Sequence, residues 1–573
     1  MTKIVTIAHN AVNARLHNPT VEVKLIVQTA LSYKVEGSEQ SIAYKQNKWD
    51  GRSSFFQYKT ASFPAGFVAF VSSHLKKKGY EVRIARNPLP EPLGPARPKV
   101  SEFGYTDRYD YQPETVDRLV KYGAMIAQIA TGGGKSITSR IAFARIGRPT
   151  LFLTTRSLLM YQMKDAFEKE MGVQCSVFGD GQFGETNAAG QLSIKKMSVG
   201  MVQTFVSKLE ETNFEKEFQA IYDAVQKQFE AERKSLVKEL TKDGLSKNVV
   251  DQRLKMLLRN QDTALKTKAS QMKERAEKKF KEKEAERQKT IKLLAMFEFV
   301  ILEEAHEASG NSYYDIMRHC KNANYRLALT ATPFMKDSEE SNMRLMACSG
   351  MVGIRVTEKM LIDRGILAKP YFKVIELKKK PDNLMRSTGW QAAYRIGIKE
   401  NEERNMSIVA EVRRGKSYGL TAMVLVQHTA HGEHLAKLME KHGVRAEFIS
   451  GDSSHDERKY ALNRLAKGEI DALVGTTILD VGVDVPAVGM VILAGGGKAE
   501  VAMRQRIGRG LRAKKLGPNV AFVVDFSDGW NSYTKDHAQQ RLDIIKSTPG
   551  FAENLVTDFD FESLGFNLIS KVA

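Results

Sequence analysis

The chain has 573 residues, 42% of them hydrophobic and 27% charged, and this length exceeds one hydrophobic core and predicts about three or four domains. Its formal net charge of +20 favours a polyanionic partner. The three cysteines, Cys175, Cys320 and Cys348, lie far apart and no apolar run approaches membrane-spanning length, which argues against a disulfide framework, a cysteine-rich zinc site and a membrane partner.

The N-terminal part of the chain is the most basic. It opens with MTKIVTIAHN, which lacks the pattern of a secretory signal and, with the cysteine usage, predicts a cytoplasmic protein. Residues 1–100 contain 15 Lys and Arg against 6 Asp and Glu. Five prolines between 88 and 98 predict an extended, semi-rigid linker. We therefore expect a basic, nucleic-acid-binding domain at 1–86 and a proline-rich linker at 87–100.

Aromatic and basic residues alternate in the segment KWDGRSSFFQYK (48–59) of this basic domain. Such interleaving suits a nucleic-acid surface, through base stacking and phosphate contact. The alternative is that the aromatic residues form the core of a small domain, and for Phe55, Phe56 and Phe63 we favour the core. The better phosphate-binding candidates stand near the end of a predicted helix: Lys76, Lys77 and Lys78.

The larger body alternates short apolar runs that end in polar residues with helical stretches. The runs are PTLFLTT (149–155), FEFVILEEAH (297–306), YRLALTATP (325–333), TAMVLVQH (421–428), RAEFISGD (445–452), IDALVGTT (470–477), VGMVILAG (488–495) and NVAFVVDF (519–526). This alternation predicts parallel sheets with the chemistry at the carboxyl ends of the strands. We place two α/β domains at 101–350 and 351–545, followed by a tail at 546–573.

One stretch, 211–292, interrupts the first α/β domain. It is rich in Glu, Lys, Gln, Ala and Leu, contains no proline, and is broken at TKDGLS (241–246). Asp243-Gly244 suits a turn and Ser246 suits a helix cap. The residues spaced for one helical face are Phe214, Phe218, Ile221, Val225 and Phe229. We predict an inserted helical hairpin that serves as a spacer or binds a protein partner, with direct nucleic-acid contact as the alternative.

A glycine-rich stretch, ATGGGKS (130–136), follows an apolar run and precedes a helical one. Strand, glycine turn and helix form the context of a phosphate-binding loop, in which backbone amides, Lys135 and Ser136 would contact phosphates and Mg²⁺. The strict pattern requires glycine where Ile129 stands, so a structural glycine turn remains the alternative.

Two further patterns fit nucleotide chemistry. The acidic pair Glu303-Glu304 follows a hydrophobic strand, where one carboxylate can reach Mg²⁺ through water and the next can orient an attacking water. In MRQRIGRGLR (503–512), arginines recur every three residues at 506, 509 and 512. They would share a helical face and could stabilise charge on a γ-phosphate, or bind phosphates more generally.

The order of these segments resembles that of the superfamily 2 helicases over about residues 100–545. The resembling segments are YDYQ (109–112), ATGGGKS, TTRSLLMYQ (154–162), VGMVQTF (199–205), EEAH (303–306, like a DEAH box), TATP (330–333), ISGD (449–452), TTILDVGVDVP (476–486) and QRIGRGLR (505–512). The resemblance implies two RecA-like parallel-sheet domains that bind ATP between them. The implied fold is α/β, with a small basic α+β N-terminal domain and a helical hairpin insertion.

The resemblance also assigns roles by position. Catalytic roles fall to Lys135, Glu304 as base, Gln505, and Arg509 and Arg512 as arginine fingers. ATP would be bound by Gln112 at adenine, Thr131, Gly132, Gly133, Gly134, Lys135, Ser136, Gly482 and Asp484, and Mg²⁺ by Ser136 and Glu303. Coupling would involve His306, Thr330 and Thr332. Nucleic acid would be contacted by Arg156, Gln203, Thr204 and Thr476.

One of these positions departs from the family, which usually has aspartate where Glu303 stands. The extra methylene changes the reach toward a metal, and a misplacement of about 1 Å can cost about a hundredfold in rate. We expect activity to be retained because the other nucleotide contacts are present.

Three further segments narrow the resemblance to UvsW-type helicases of bacteriophages: KWDG (48–51), ILAKPYF (366–372) and NEERNMSI (401–408). This implies an ATP-dependent motor that unwinds or branch-migrates double-stranded or branched DNA, namely forks, Holliday junctions or R-loops, in recombination and replication. The alternatives are an RNA helicase, the motor of a restriction system, and an ATP-switched nucleic-acid clamp without unwinding activity. The absence of an evident nuclease motif disfavours the restriction system.

Overall fold

The structure is a computed structural model that describes residues 3–100, 105–186, 192–305, 311–334, 338–476, 488–497 and 517–569. The N-terminal unit contains β1 (Lys3–His9), β2 (Asn13–His17), α1 (Val21–Ala30), β3 (Ser32–Lys34), α2 (Ile42–Lys45), β4 (Arg52–Ser54), β5 (Ser62–Pro64), α3 (Val68–Lys77) and β6 (Tyr80–Ala85). Its main sheet has the order β5-β2-β1-β6, in which β1 is antiparallel to β2 and parallel to β6. A second pairing joins β3 to β4. Mixed pairing with three helices makes this unit α+β.

The aromatic residues of the N-terminal unit pack inward. Phe56 and Phe63 are buried, and half-buried Phe55 packs at a tilt against Phe67 at a ring-centroid distance of 5.3 Å. Phe55 also meets Tyr314 of the first α/β domain at 5.8 Å. Their assignment to the core is therefore confirmed, and the same cluster joins the unit to its neighbour.

The proline-rich segment contains no regular helix, as predicted, but it is docked on the first α/β domain. The amide of Gly94 donates to the Arg145 carbonyl at 3.0 Å, and the Tyr325 hydroxyl donates to the Pro90 carbonyl at 2.6 Å. A Cβ atom on Gly94 would lie 1.8 Å from the Ala144 carbonyl oxygen. The linker therefore follows a fixed path that requires glycine at this approach.

The first α/β domain is built on an eight-stranded sheet of order β10-β9-β13-β8-β14-β15-β7-β16. Its elements are α4 (Tyr111–Tyr122), β7 (Ala124–Ile129), α5 (Lys135–Ile146), β8 (Thr150–Thr154), α6 (Ser157–Asp165), β9 (Cys175–Gly179), β10 (Gln182–Phe183), β11 (Glu185–Thr186), β12 (Leu192–Ser193), β13 (Met197–Met201), α7 (Val202–Leu209), α8 (Phe214–Lys242), α9 (Lys247–Leu294), β14 (Phe299–Glu303), α10 (Asn311–Met317), β15 (Tyr325–Thr330), α11 (Glu339–Ser349) and β16 (Val352–Val356). All neighbours are parallel except β10 and β9. Helices on both faces bury the sheet, which explains the continuous apolar runs.

Arg326, near the start of β15, is a buried guanidinium held by backbone carbonyls. It donates to Ala323, Cys320 and Cys348 at 2.9, 3.0 and 3.3 Å. Burial lowers its pKa, and no carboxylate pairs with it among the described residues. Because Cys348 belongs to the last turn of α11 and α10 ends just before Cys320, the charge caps two helix carboxyl ends.

Helix α12 (Glu358–Asp363) leads to a second α/β domain with a seven-stranded sheet of order β19-β20-β18-β21-β22-β17-β23. Its elements are β17 (Lys369–Ile375), α13 (Trp390–Tyr394), α14 (Glu402–Ser417), β18 (Ala422–Leu425), α15 (Thr429–Lys441), β19 (Ala446–Ile449), α16 (His455–Ala466), β20 (Ala472–Gly475), β21 (Met490–Ile492), β22 (Val520–Phe526), α17 (Ser532–Ser547) and β23 (Leu555–Val556). All neighbouring strands in this sheet are parallel. The predicted α/β class with two parallel-sheet domains is confirmed.

Two edge strands fall outside the predicted domain limits. Strand β16 pairs with β7 beyond residue 350, and β23 pairs with β17 within the segment expected to be a tail. Phe559 and Phe561, just after β23, are buried in the core of the second domain. The sheets therefore extend further along the chain than the apolar pattern indicates.

The inserted hairpin consists of α8 and α9, which pack along each other. Gly244 adopts φ 72° at the turn, and Ser246 stands at the N-cap of α9 without a side-chain capping bond. The five residues predicted to share a face on α8 are all buried or half-buried. Although α9 has 48 residues, neither it nor another helix of the described ranges is long and apolar enough to cross a membrane.

Candidate nucleotide-binding site

The glycine turn stands between β7 and α5. Gly132 and Gly134 adopt φ values of 85° and 78°, a left-handed region that favours glycine, and the Gly133 amide donates to the Ala130 carbonyl at 3.0 Å. Helix α5 then begins at Lys135, so its first-turn amides and positive dipole end face the turn. Ile129, which departs from the strict pattern, is buried with its Cγ2 2.7 Å from the position of a Cβ on Gly133. An aliphatic floor supports the turn there.

The acidic pair follows β14 and meets this turn. Lys135 Nζ lies 3.5 Å from Glu304 Oε1, with side chains 10% and 17% exposed. Glu304 has φ 46°, an uncommon value for a residue with a Cβ. Residues assigned by the motifs to phosphate binding and base catalysis are thus in contact.

Glu303 lies beneath this pair and is 4% exposed. Burial raises its pKa to about 8, with Lys135 opposing the shift and Glu304 adding to it. Its backbone carbonyl accepts from the Tyr313 hydroxyl at 3.1 Å, while its Oε2 has no hydrogen-bond partner among the described residues. A buried carboxylate oxygen with spare acceptor capacity fits a cation or a cation-bound water.

Helix α4 supports the glycine turn from the other side. The Tyr111 hydroxyl donates to the Gly133 carbonyl at 2.8 Å, and Gln112 Nε2 approaches the same oxygen at 3.5 Å. Both side chains are fully buried, and a Cβ on Gly134 would lie 2.5 Å from Gln112 Nε2. Gln112, predicted to contact adenine, thus lies directly against the turn. Tyr111 was not singled out from sequence, although it precedes Gln112 in YDYQ.

The coupling threonines lie at the carboxyl end of β15, which stands between β14 and β7 in the sheet: Thr330 is its last residue and Thr332 follows it. Thr330 is buried, and its hydroxyl accepts from the Thr332 amide at 3.2 Å. Gln128 at the end of β7 donates to the Ala331 carbonyl at 3.3 Å. Thr332 and Thr131 each have a buried hydroxyl without a hydrogen-bond partner in the described part of the chain. The carboxyl ends of three adjacent strands thus carry spare polar groups, which suit a polar ligand.

The predicted nucleic-acid residues fall into three places. Gln203 at the start of α7 donates to the Thr155 carbonyl at 3.3 Å, which brings Gln203 and Thr204 beside Arg156. Thr476 is buried after β20 in the second domain. The exposed lysines 76–78 are at the end of α3. Several assigned residues lie outside the described ranges: His306, Gly482, Asp484, Gln505, Arg509 and Arg512.

A buried ionic network in the second domain was missed from sequence. Arg404, within NEERNMSI, is fully buried and donates to Asp528 at 2.9 Å and to the Ala494 carbonyl at 2.6 Å. Arg541 pairs with Asp525 at 2.8 Å and donates to the Gly497 carbonyl at 3.0 Å. The network fixes the backbone at 494–497, immediately before the segment that holds the predicted arginine fingers. The sequence signal that could have revealed this network is the charge of Arg404 within a predicted helix that packs on the sheet.

Together, the two parallel sheets define the class of the protein as α/β with two such domains, and the glycine turn at the edge of the first sheet is a candidate phosphate-binding loop. Comparison with protein families finds two matching family models. The helicase conserved C-terminal domain matches residues 403–514, and the type III restriction enzyme, res subunit, matches residues 106–335. The two matches support a superfamily 2 helicase, as the order of the motifs indicated.

Among its relatives is a protein called helicase 22 from Sulfolobus islandicus filamentous virus, 25% identical over 250 residues, 41% of this chain and 43% of that protein. UvrABC system protein B of Edwardsiella ictaluri is 30% identical over 157 residues, 25% of this chain and 23% of that protein. The chain thus spans less than half the length of these curated relatives. The crystal structure of T4 UvsW matches over 97% of this chain and 98% of that chain, at 16% identity and a TM-score of 0.40.

Proposed function

We propose that this chain is an ATP-driven motor that unwinds or branch-migrates double-stranded and branched DNA. The observation that carries the proposal is the contact of Lys135 with Glu304 at 3.5 Å, beside a left-handed glycine turn and above buried Glu303. A cation at a helix start, paired with the acidic end of a neighbouring strand, suits phosphoryl transfer to water.

Each residue at this edge has a distinct task. Lys135 and the first-turn amides of α5 bind the β- and γ-phosphate oxygens and hold the terminal phosphate against the turn. Glu304 orients the attacking water and accepts its proton. When ATP enters, Lys135 exchanges its contact with Glu304 for phosphate oxygens, which leaves the carboxylate available as the base.

Ser136 and Glu303 would hold Mg²⁺, and the spare Oε2 atom of Glu303 is the observation that fits this assignment. Bound there, Mg²⁺ would supply neutralisation of the negative charge on the phosphates. Because burial favours the neutral form of Glu303, its side chain becomes an anion only when a positive partner compensates for the lost solvation.

The second domain would complete the site. Gln505, Arg509 and Arg512 close over the γ-phosphate, while Gly482 and Asp484 respond to nucleotide and backbone together. The fixed backbone at 494–497 provides a rigid base for this segment. The two domains would close because ATP makes these contacts only in the closed state, and product release would reopen them. One cycle of closing and opening would move the motor one step along the nucleic acid.

The coupling threonines Thr330 and Thr332, together with His306, would transmit closure to the nucleic-acid contacts on α6 and α7. The net charge of +20 and the exposed lysines at the end of α3 support a phosphate-backbone partner. Contacts made to the backbone make stepping largely independent of sequence. A second candidate, an ATP-switched clamp, is favoured by glutamate rather than aspartate at 303.

Strand displacement separates these functions. The purified chain is mixed with ATP, Mg²⁺ and a labelled forked DNA, Holliday junction, R-loop or forked RNA duplex, and the released strand is measured, with Glu304→Gln as the inactive control. We expect release from branched DNA by the wild type and none by the variant. Binding without release would identify a clamp, and release from RNA alone would contradict the DNA assignment.

A further inference from the structure

The hairpin formed by α8 and α9, here called the arm, has an uneven charge distribution. Its distal half, residues 233–273, contains 11 Lys and Arg against 4 Asp and Glu. All of these basic side chains are exposed except half-buried Arg233. The distal half therefore presents a strongly positive surface to solvent.

The basal half of the arm uses its charges internally. Buried Glu217 accepts a hydrogen bond from Lys283 and pairs with Lys279 at 3.4 Å. The hydrogen bond from Lys283 is the main cause that lowers the pKa of Glu217 to about 2, and burial opposes this shift. Arg287 pairs with Glu211 at 3.1 Å. The Glu217 pairs join α8 to α9, and the Arg287 pair joins α9 to the segment between α7 and α8.

The distal half is different. In the fully described segment 233–273, Lys234 is the one basic residue with an ion pair, to Glu230 at 2.7 Å. Ten basic side chains there have no carboxylate partner among the described residues. Unpaired positive charges this close together repel one another, and a polyanion relieves that repulsion.

Four of these charges form a stripe along α9: Lys255, Arg259, Lys266 and Lys273. Their spacings of four, seven and seven residues place them on one helical face, which extends about 27 Å at a rise of about 1.5 Å per residue. The positions that pack on α8 belong to another face: Gln261, Met272 and Ala276 are buried there. The stripe is therefore directed away from the helix pairing, with Asp262 at its border.

The root of the arm is attached to the predicted nucleic-acid contacts. Helix α7 carries Gln203 and Thr204 at its start, and its last residue, Leu209, accepts a hydrogen bond from Arg287 of α9 at 3.2 Å. Lys208 of α7 also pairs with Glu286. With 29 residues, α8 carries the arm about 44 Å beyond this point.

We infer that the distal half of the arm is a second nucleic-acid-binding surface, which contacts the phosphate backbone of duplex flanking the motor. The inference rests on the proposed function. The stripe carries no aromatic side chain, and the positions between its members on that face are occupied by small or polar residues: Asp262, Thr263, Ala269 and Ser270. Protein interfaces centre on aromatic anchors and are depleted in lysine, so a row of point charges suits phosphates better than an acidic protein.

The test compares two variants that lose four positive charges each. The arm variant carries Lys255→Gln, Arg259→Gln, Lys266→Gln and Lys273→Gln, which keep helix propensity at exposed positions. The control variant carries Lys437→Gln, Lys441→Gln, Lys459→Gln and Lys546→Gln, at exposed positions on α15, α16 and α17. Binding to labelled duplexes of about 40 and about 8 base pairs is measured by anisotropy between about 50 and 200 mM salt.

Each lost phosphate contact should reduce the slope of log K against log salt by about 0.9. On the long duplex we expect the slope for the arm variant to be smaller in magnitude than the wild-type slope by about 2–4. On the short duplex the arm variant should bind as the wild type does. The control should match the wild type, and circular dichroism should show unchanged helix content in both variants.

An unchanged slope for the arm variant on the long duplex, or an equal loss in the control, would overturn the inference. Its failure is distinct from failure of the motor proposal. If the wild type binds the long duplex through the arm but does not displace strands, the motor proposal is wrong while the inference about the arm stands. If the arm variant displaces strands and binds DNA as the wild type does, the inference about the arm is wrong while the motor proposal stands.

Discussion

The hydroxyl of Tyr111 tests how the glycine turn is held in shape. Tyr111→Phe removes one oxygen atom and leaves the fully buried ring in place. Since burial raises the pKa of Tyr111 to about 12, the wild-type hydroxyl remains a donor under ordinary assay conditions. Its loss leaves the Gly133 carbonyl with the 3.5 Å approach of Gln112 Nε2 as its side-chain contact among the described residues.

The expected magnitude follows from that carbonyl. Leaving a buried acceptor without its 2.8 Å hydrogen bond costs about 1–2 kcal/mol of free energy. If the bond holds the turn in its nucleotide-ready shape, this cost appears in binding. The dissociation constant for ATP should then rise about 5- to 30-fold.

The assay is titration of a fluorescent, non-hydrolysable ATP analogue against the purified variant. Tyr325→Phe is the matched control, because it loses a similar hydroxyl bond, to the Pro90 carbonyl at 2.6 Å, at the amino end of β15. We expect the control to lose stability but to bind nucleotide like the wild type. A Tyr111→Phe affinity within about twofold of wild type would refute the preorganisation argument, since it corresponds to under about 0.5 kcal/mol.

Three further predictions concern stability. Glu303 has a pKa of about 8 in the folded chain against an ordinary value of 4.5. Between pH 4.5 and 8 the unfolded chain loses this proton while the folded chain keeps it, so the free energy of unfolding falls as pH rises through that range. Glu303→Gln should therefore raise the melting temperature at pH 8 and not at pH 4.5 in metal-free buffer, and equal values at both would contradict this. Arg326→Met should destabilise the first α/β domain by about 3 kcal/mol in urea titrations, since it strands four carbonyls; no change would show that water replaces the guanidinium. Gly94→Ala should release the linker from Ala144 and speed proteolysis within 87–100, whereas Gly389→Ala, which meets open space, should not.

The sheets were predictable from the sequence because parallel strands buried on both faces are continuous apolar runs. All eight runs identified in this way are strands in the structure. The edge strands β16 and β23 were missed, and β23 has only two residues. A strand of two residues carries no periodicity, and only pairing with a neighbour defines it. Strand β16 has five residues, but its sequence VGIRV includes an exposed arginine and is not a continuous apolar run.

The path of the linker could not be predicted. Proline content indicates an extended conformation, but docking depends on the close approach of Gly94 to Ala144, fifty residues away. Such contacts are set by packing of the whole domain, and no local pattern records them.

The site shows the same division. The order of the motifs predicted the meeting of Lys135 with Glu304, because carboxyl ends of parallel strands lie at one edge. Tyr111 and Arg404 were missed because a buried polar side chain is recognised by its partner, and the partners are distant in sequence. Their neighbourhoods, YDYQ and NEERNMSI, were noted only for resemblance.

The most direct test of the nucleotide site is ATP hydrolysis by Lys135→Ala with and without forked DNA. Lys169→Ala is the control, an exposed lysine of the same domain that pairs with Asp165. Because Lys135 supplies the positive charge at the glycine turn, its loss should reduce DNA-stimulated turnover by about a hundredfold or more, while the control keeps wild-type turnover. Undiminished turnover in Lys135→Ala would contradict the assignment of this edge of the sheet as the site of ATP hydrolysis.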